Sequence, residues 1–227
     1  MKEILKATDL NKYFHDPEEF HVIDHISLTV KEGEFVTLIG KSGCGKSTLM
    51  YLLATLDTDY TGTLEINGTM LTGRTQSELA RFRNEHIGFI FQYHYLLPEF
   101  TVLQNVMLPA LKLKALDAKT IEYNAMEKLT QMGMETYVHK LAVKLSGGQQ
   151  QRAAIARALI NNPCIIMADE PTGNLDSVNT GIIFEIFMNL ARQGHSIIAV
   201  THDQDFAAKS NRTIEMADGR IFLVDQH

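Results

Sequence analysis

Gly40-Lys41-Ser42-Gly43-Cys44-Gly45-Lys46-Ser47-Thr48 is the stretch that decides the fold. It reads G-x-x-x-x-G-K-[ST], the spacing of a phosphate-binding loop. An apolar run, Phe35–Ile39, leads in, and a helical pattern beginning near Lys46 leads out. Glycines let a backbone wrap closely enough for its N–H groups to face phosphate oxygens, and the helix N-terminus adds partial positive charge. Gly40, Ser42, Gly43, Cys44, Gly45 and Thr48 are therefore expected to form the cradle. Lys46 is expected to reach the β and γ phosphates, and the Ser47 hydroxyl to ligate Mg²⁺. A glycine-rich turn with an incidental lysine is the competing reading. A strand before it and a helix after it favour the cradle.

A second stretch completes the chemistry. Cys164-Ile165-Ile166-Met167-Ala168-Asp169-Glu170 is an apolar strand ending in two acids. Ligands of open α/β sheets gather at the carboxyl ends of strands. Asp169 is placed to hold Mg²⁺ through its water shell, and Glu170 to orient or deprotonate an attacking water. An acidic pair at a strand end by itself reads equally as a solvated pair. Beside a phosphate loop it gains meaning.

Around these motifs strands and helices alternate. Strand patterns fit Val22–Val30, Glu34–Ile39, Thr63–Ile66, Ile87–Phe91, Ile165–Ala168 and Ser196–Thr201. Asn211–Met216 and Arg220–Val224 flank Asp218-Gly219, a hairpin-type turn. Helical patterns fit Lys46–Thr55, Val102–Lys114, Lys119–Met132, Gln149–Asn161 and Ser177–Arg192. An open α/β sheet is expected. Tyr93 to Leu145 has almost no strand signal and reads as a helical lobe inserted into a core formed by residues 1–92 and 146–227.

The chain has 227 residues, which fits one α/β domain with lobes. Lys and Arg number 21 against 27 Asp and Glu, a net charge of −6. That disfavours nucleic acid as a partner, because such affinity rests on neutralising phosphates with cations. The charged first residues, Met1 to Asp9, do not read as a secretory signal. Apolar runs of a few residues fall short of the roughly 20 needed to cross a membrane. The two cysteines, Cys44 and Cys164, suggest neither a zinc site nor a disulfide framework, and a reducing cytoplasm is expected.

Leu145-Ser146-Gly147-Gly148-Gln149, continuing as Gln150-Gln151-Arg152, resembles the signature sequence of ABC ATPases. Physically it is a second anion site, a small-residue turn opening a helix. It also reads as an ordinary helix N-cap at Ser146. The resemblance implies that Ser146, Gly147, Gly148 and Gln149 of one chain cap the γ-phosphate of ATP held by the loop of a partner. Two cassettes would then enclose two ATP molecules as a homodimer. Further residues match the family in order. Tyr13 matches the aromatic residue that stacks on adenine. Gln92 matches the glutamine that senses Mg²⁺ and nucleotide. Asn174-Leu175-Asp176 matches the loop crossing the dimer interface, and His202 matches the histidine on the γ-phosphate. The implied fold is that of the ABC ATPases among the P-loop NTPases: a mixed sheet core, an antiparallel β subdomain and an inserted helical subdomain.

Within the family, Arg83 to Thr101 and Ala168 to Asp176 look like the lipoprotein-releasing ATPase subunits and the related macrolide-export type. The run Leu96-Leu97-Pro98-Glu99-Phe100-Thr101 is nearest the lipoprotein-releasing branch, from which Tyr93 and Tyr95 depart. This implies a peripheral ATPase on the cytoplasmic face of a bacterial inner membrane. Two integral membrane permease subunits would be contacted near Tyr93–Thr101. An efflux or cell-division complex is the alternative. A kinase would leave the signature, Gln92 and His202 unexplained. A ribosome- or DNA-acting relative would carry a second cassette or long coiled-coil insertions, and neither shows in this sequence.

Overall fold

The computed structural model describes residues 2–15 and 19–226. Apolar alternation builds its first layer. β1 (Glu3–Phe14) and β2 (Phe20–Lys31) pair antiparallel, and β4 (Thr61–Ile66) and β5 (Thr69–Met70) complete a four-stranded sheet in the order β2-β1-β4-β5. Ile26, Leu28 and Val30 face inward from β2, as their spacing requires. A larger sheet runs β10-β9-β3-β8-β7-β6, made of β3 (Phe35–Gly40), β6 (Ile87–Ile90), β7 (Ile165–Asp169), β8 (Ser196–Val200), β9 (Arg212–Ala217) and β10 (Arg220–Gln226). Its strands are parallel except β10, which pairs antiparallel with β9.

Strands buried on both faces read as continuous apolar runs. In β7, Ile165 and Met167 enter the core shared with the small sheet and α1 (Lys46–Leu53). Ile166 and Ala168 enter a second core, formed with α3 (Val102–Leu113), α4 (Ala118–Gln131), α5 (Gly147–Leu159) and α6 (Ser177–Arg192). Each fully buried isoleucine contributes about 1.5–3 kcal/mol relative to exposure. Polar Thr37 is tolerated in β3 because its hydroxyl meets Ser210 Oγ at 3.0 Å and Thr213 Oγ1 at 3.2 Å. Register then sets the site. Leu38 pairs with Val200, and Asp169 pairs with Val200. The ends of β3, β8 and β7 are therefore level.

Four elements were not expected from the sequence, one of them the two-residue β5. β1 lost its alternation to irregular register, with shifts on both sides of Leu10 and Asp9 at φ +53°. α2 (Gln76–His86) is polar and buries only Leu79. α7 (Gln204–Ala208) is a single short turn. Residues 93–145 hold α3, α4 and two 3₁₀ turns, and no named strand. Among the described residues no helix is long and apolar enough to cross a membrane. Both cysteines are free thiols.

Candidate functional site

The loop after β3 closes on two glycines that cannot be replaced without moving backbone. A Cβ on Gly40 would lie 2.2 Å from Met216 O, and one on Gly45 would lie 2.9 Å from Val22 O. Gly45 (φ +99°) begins α1 with no side-chain cap, so the first N–H groups of that helix are open to an anion. Lys46 is buried, and its Nζ donates to Gly40 O and Lys41 O, both at 2.9 Å. The ammonium thus sits inside its own loop.

Across the sheet the acids converge on this loop. Ser47 Oγ donates to Asp169 Oδ1 at 2.9 Å. Burial pushes the Asp169 carboxyl above the usual carboxylate range, against the Ser47 hydrogen bond that lowers it. Burial and the nearby Asp169 charge push Tyr51, four residues beyond Ser47 on α1, up to about 12. Glu170 stands at φ +46°, a conformation that a non-glycine residue keeps only when its surroundings enforce it. Two partners do so. Gln92 Nε2 donates to Glu170 Oε2 at 3.2 Å, and His202 Nε2 lies 2.7 Å from Glu170 Oε1. A carboxylate held between an amide and an imidazole, next to a phosphate loop, is equipped to orient a water for attack on phosphorus.

Beside them lies a cavity of about 330 Å³ lined by Ser42, Gly43, Gly45, Lys46, Ser47 and Thr48, with Glu170 and His202 also in its lining. Phe14, Phe20 and Val22 close its far wall. Tyr13, expected at the base of the nucleotide, is not part of that wall. Tyr13 and Phe14 are successive in β1 and so face opposite sides. The Tyr13 ring stacks on His21 with centroids 4.1 Å apart, while Phe14 pairs with Phe20 on the cavity side. Cys44 is also turned away. Its Sγ is buried beneath the loop, 3.9 Å from Lys46 Nζ, so only its backbone is available to a ligand. The loop is braced from below by the far end of the chain. Gly219 N donates to Cys44 O at 3.2 Å, and Gly219 O accepts from Asp24 N at 2.9 Å.

The residue set suits Mg²⁺ bound with phosphates. Among the described residues no trio of His, Cys, Asp and Glu forms a protein cage, and Mg²⁺ is usually held by one or two carboxylates plus substrate oxygens. A larger cleft of about 520 Å³ lies between β2 and the β9–β10 hairpin. Its arginines are committed, Arg220 to Asp24 and Arg212 to Glu34, so it offers an anion little.

Ser146 to Gln149 stand apart from this cavity. Ser146 caps α5 in a reciprocal box with Gln149 and is exposed. A Cβ on Gly148 would lie 2.0 Å from Asn179 Oδ1, so the signature turn is pressed against the start of α6. Asp176 caps that helix through Asn179 N at 2.8 Å, and Asn174 Nδ2 reaches Gln92 O at 3.4 Å.

The segment after Gln92 exposes Tyr93 (62%), Tyr95 (65%), Leu97 (42%) and Phe100 (37%), while Leu96 packs inward. Asn105, fully buried on α3, holds it in shape. Its Oδ1 accepts from Leu97 N, and its Nδ2 donates to Leu97 O, Phe100 O and Thr101 O. Asn105, Phe14, Phe20 and Arg157, which bonds this segment from α5, were not singled out from sequence. A lone Asn or Arg inside a helix carries no spacing signal.

The chain also resembles known proteins over nearly its whole length. A family model described as ABC transporter matches residues 23–173. The lipoprotein-releasing system ATP-binding protein LolD of Aquifex aeolicus is 43% identical over 97% of both chains. LolD of Leptospira interrogans is 44% identical over 96% of this chain and 90% of its own. Among solved structures, a dimeric bacterial ABC transporter cassette superposes with TM-score 0.91 at 36% identity, covering 98% of both chains. A dimeric ATP-binding cassette in a post-hydrolysis state, bound to ADP and Pi, superposes with TM-score 0.90 at 35% identity over 98% of both.

Proposed function

The chain belongs to the ABC transporter family of ATP-binding subunits, and on that premise we propose that it hydrolyses ATP to drive lipoprotein release from a bacterial inner membrane. The observation that carries ATP hydrolysis is Glu170 held between Gln92 and His202, in the lining of one cavity with Lys46 and Ser47. Its relatives carry the lipoprotein assignment, since the LolD proteins match it end to end.

In this reading ATP lies along the loop, with its base toward Phe14 and Phe20 and its phosphates on the α1 N-terminus. Lys46 leaves its two loop carbonyls for the β and γ phosphates. Ser47, Asp169 and Gln92 would hold Mg²⁺, which when bound would supply positive charge beside the phosphate oxygens. Glu170 accepts a proton from the attacking water, and His202 steadies Glu170 and the γ-phosphate. Gly40 shapes the turn. Ser146, Gly147, Gly148 and Gln149 cap the γ-phosphate of a second chain. Their distance from this chain's own cavity is what such a composite site requires. Residues 93–145 form the helical lobe, and residues 1–92 and 146–227 the core. The exposed aromatics after Gln92 are the surface for two permease subunits, with the chain peripheral on the cytoplasmic face of the membrane.

The test is reconstitution with the two membrane subunits in lipid vesicles loaded with a lipoprotein. ATP-dependent release that Glu170→Gln abolishes is the expected result. Hydrolysis without release of any lipoprotein would leave the ATPase standing and remove the cargo.

A further inference from the structure

α5 opens with three glutamines in a row, and each has a separate task. Gln149 Oε1 accepts from Ser146 N at 3.1 Å and closes the cap of its own helix. Gln150 Nε2 donates to Leu145 O at 3.1 Å. Gln151 reaches away from the helix. It is 1% exposed, and its Nε2 donates to Pro171 O at 2.8 Å, in the turn that follows Glu170. Among the described residues its Oε1 is buried with no hydrogen-bond partner. A buried amide with one atom unpaired is a cost that an apolar side chain of the same length would not carry. What the amide delivers therefore lies at Pro171.

The peptide it holds adjoins Glu170. Glu170 N donates to Val200 O at 3.1 Å, and Glu170 O accepts from Gly173 N at 3.1 Å, a turn with Pro171 at its second position. Proline has no N–H, so its carbonyl is the one polar handle on that backbone. The turn is drawn tightly under the carboxylate. A Cβ on Gly173 would lie 3.1 Å from Glu170 Oε2 and 3.2 Å from Gln92 Nε2. Glu170 itself stands at φ +46°, and a non-glycine residue stays there only where its surroundings over-determine it. Gln92 and His202 hold its side-chain end. Val200, Gly173 and, one residue on, Gln151 hold the backbone end. Of these, Gln151 alone is carried by α5, the helix that follows the Ser146 cap.

We infer that Gln151 is a positioning residue for ATP hydrolysis: its amide fixes the Pro171 peptide, and through that peptide the left-handed backbone that aims the Glu170 carboxylate. The inference rests on the proposal that Glu170 activates the attacking water. It adds a residue outside the lining of the nucleotide cavity that decides where the glutamate points. Ser146 to Gln149, proposed to face a second chain's nucleotide, and Glu170, proposed to act on this chain's own, become two ends of one strut.

The experiment uses the full chain and two variants. Gln151→Met keeps the length and loses the donor. Gln151→Glu loses the donor only while ionised; a protonated carboxyl donates one O–H, and burial favours that form. At saturating Mg-ATP, Gln151→Met should lower kcat about tenfold or more, since ångström-scale misplacement of a reacting group costs up to about a hundredfold. KM for ATP should stay within about twofold, because the phosphate loop is untouched. The kcat of Gln151→Glu, divided by that of wild type at the same pH, should rise severalfold from about pH 8 to about pH 6, while the same ratio for Gln151→Met stays level. Native groups titrate in all three proteins and cancel in these ratios. Melting is read alongside. Full kcat in Gln151→Met, a KM or melting change that accounts for the loss, or a Gln151→Glu ratio that does not respond to pH each overturns the assignment and leaves Gln151 as packing. Glu170→Gln separates the two ideas. If it hydrolyses ATP at the wild-type rate, the role of the glutamate falls and this inference with it. If it is inactive beside a fully active Gln151→Met, the inference falls alone.

Discussion

Glu170 and Asp169 are adjacent in sequence yet are placed differently, because Asp169 ends β7 in register and Glu170 turns left-handed out of it. Under the proposed mechanism, replacing Glu170 by Gln keeps the shape and removes the base. Hydrolysis should fall about a hundredfold or more, the scale of general base catalysis. ATP binding should survive, and chains should remain paired on gel filtration with Mg-ATP; hydrolysis at the wild-type rate would refute the assigned role. Lys46→Ala should instead lose ATP affinity itself, measured by calorimetry. Histidines give a pH test. Burial first, and the charges of Arg157 and Lys128 second, hold His94 and His195 below their ordinary pKa. Such a group is neutral in the fold. Its contribution is complete above the unfolded value of about 6.5 and is lost as pH falls through that value toward the folded one. Melting temperature should therefore drop between about pH 7.5 and pH 5.5, and His195→Gln should flatten the drop. Asp169, raised by burial, has the opposite sign, but it is common to both proteins and cancels in the comparison.

At the scale of elements, the parts with the strongest periodicity were legible in the sequence. β3, β7 and β8 are apolar on both faces, and α6 runs from Ser177 to Arg192 as its pattern indicates. The phosphate loop was readable because it needs glycines at fixed places between a strand and a helix. β1 was not, since its irregular register spoils a period of two, and with it went the facing of Tyr13 and Phe14. α2 was missed although Thr75 and Glu78 form a capping box, because a helix burying one leucine has no apolar stripe. Contacts between distant elements leave no spacing at all, and the pressure of Gly148 on Asn179 is one. Gly148→Ala should cost about 1–3 kcal/mol by overpacking, read as lower melting. Ser146→Arg should behave differently. It replaces an exposed cap worth about 1 kcal/mol, so the monomer should still fold and bind ATP, while ATP-driven pairing should stop.

For the molecule as a whole, the decisive experiment is complementation. A mixture of Ser146→Arg and Lys46→Ala chains can form one site with neither lesion and one with both, and ATP-dependent pairing should partly return on gel filtration. No recovery, with both proteins folded, would count against composite sites. Tyr95→Ala and Phe100→Ala chains should fold, bind ATP and hydrolyse it, yet assemble poorly with membrane subunits; normal assembly and transport would place the docking surface elsewhere. The brace under the phosphate loop carries a further consequence, for the time at which the protein becomes itself. Among the described residues β3, which feeds the loop, has β8 and β9 as its strand neighbours, and Cys44 waits for Gly219. The loop is made early and its supports are made last. At about 5–20 residues per second, the ribosome needs about 10–35 s to bridge that gap. Through this interval the newborn chain carries a complete phosphate motif that nothing yet holds in shape, so cellular ATP should give no protection from proteolysis to nascent chains that stop short of residue 219.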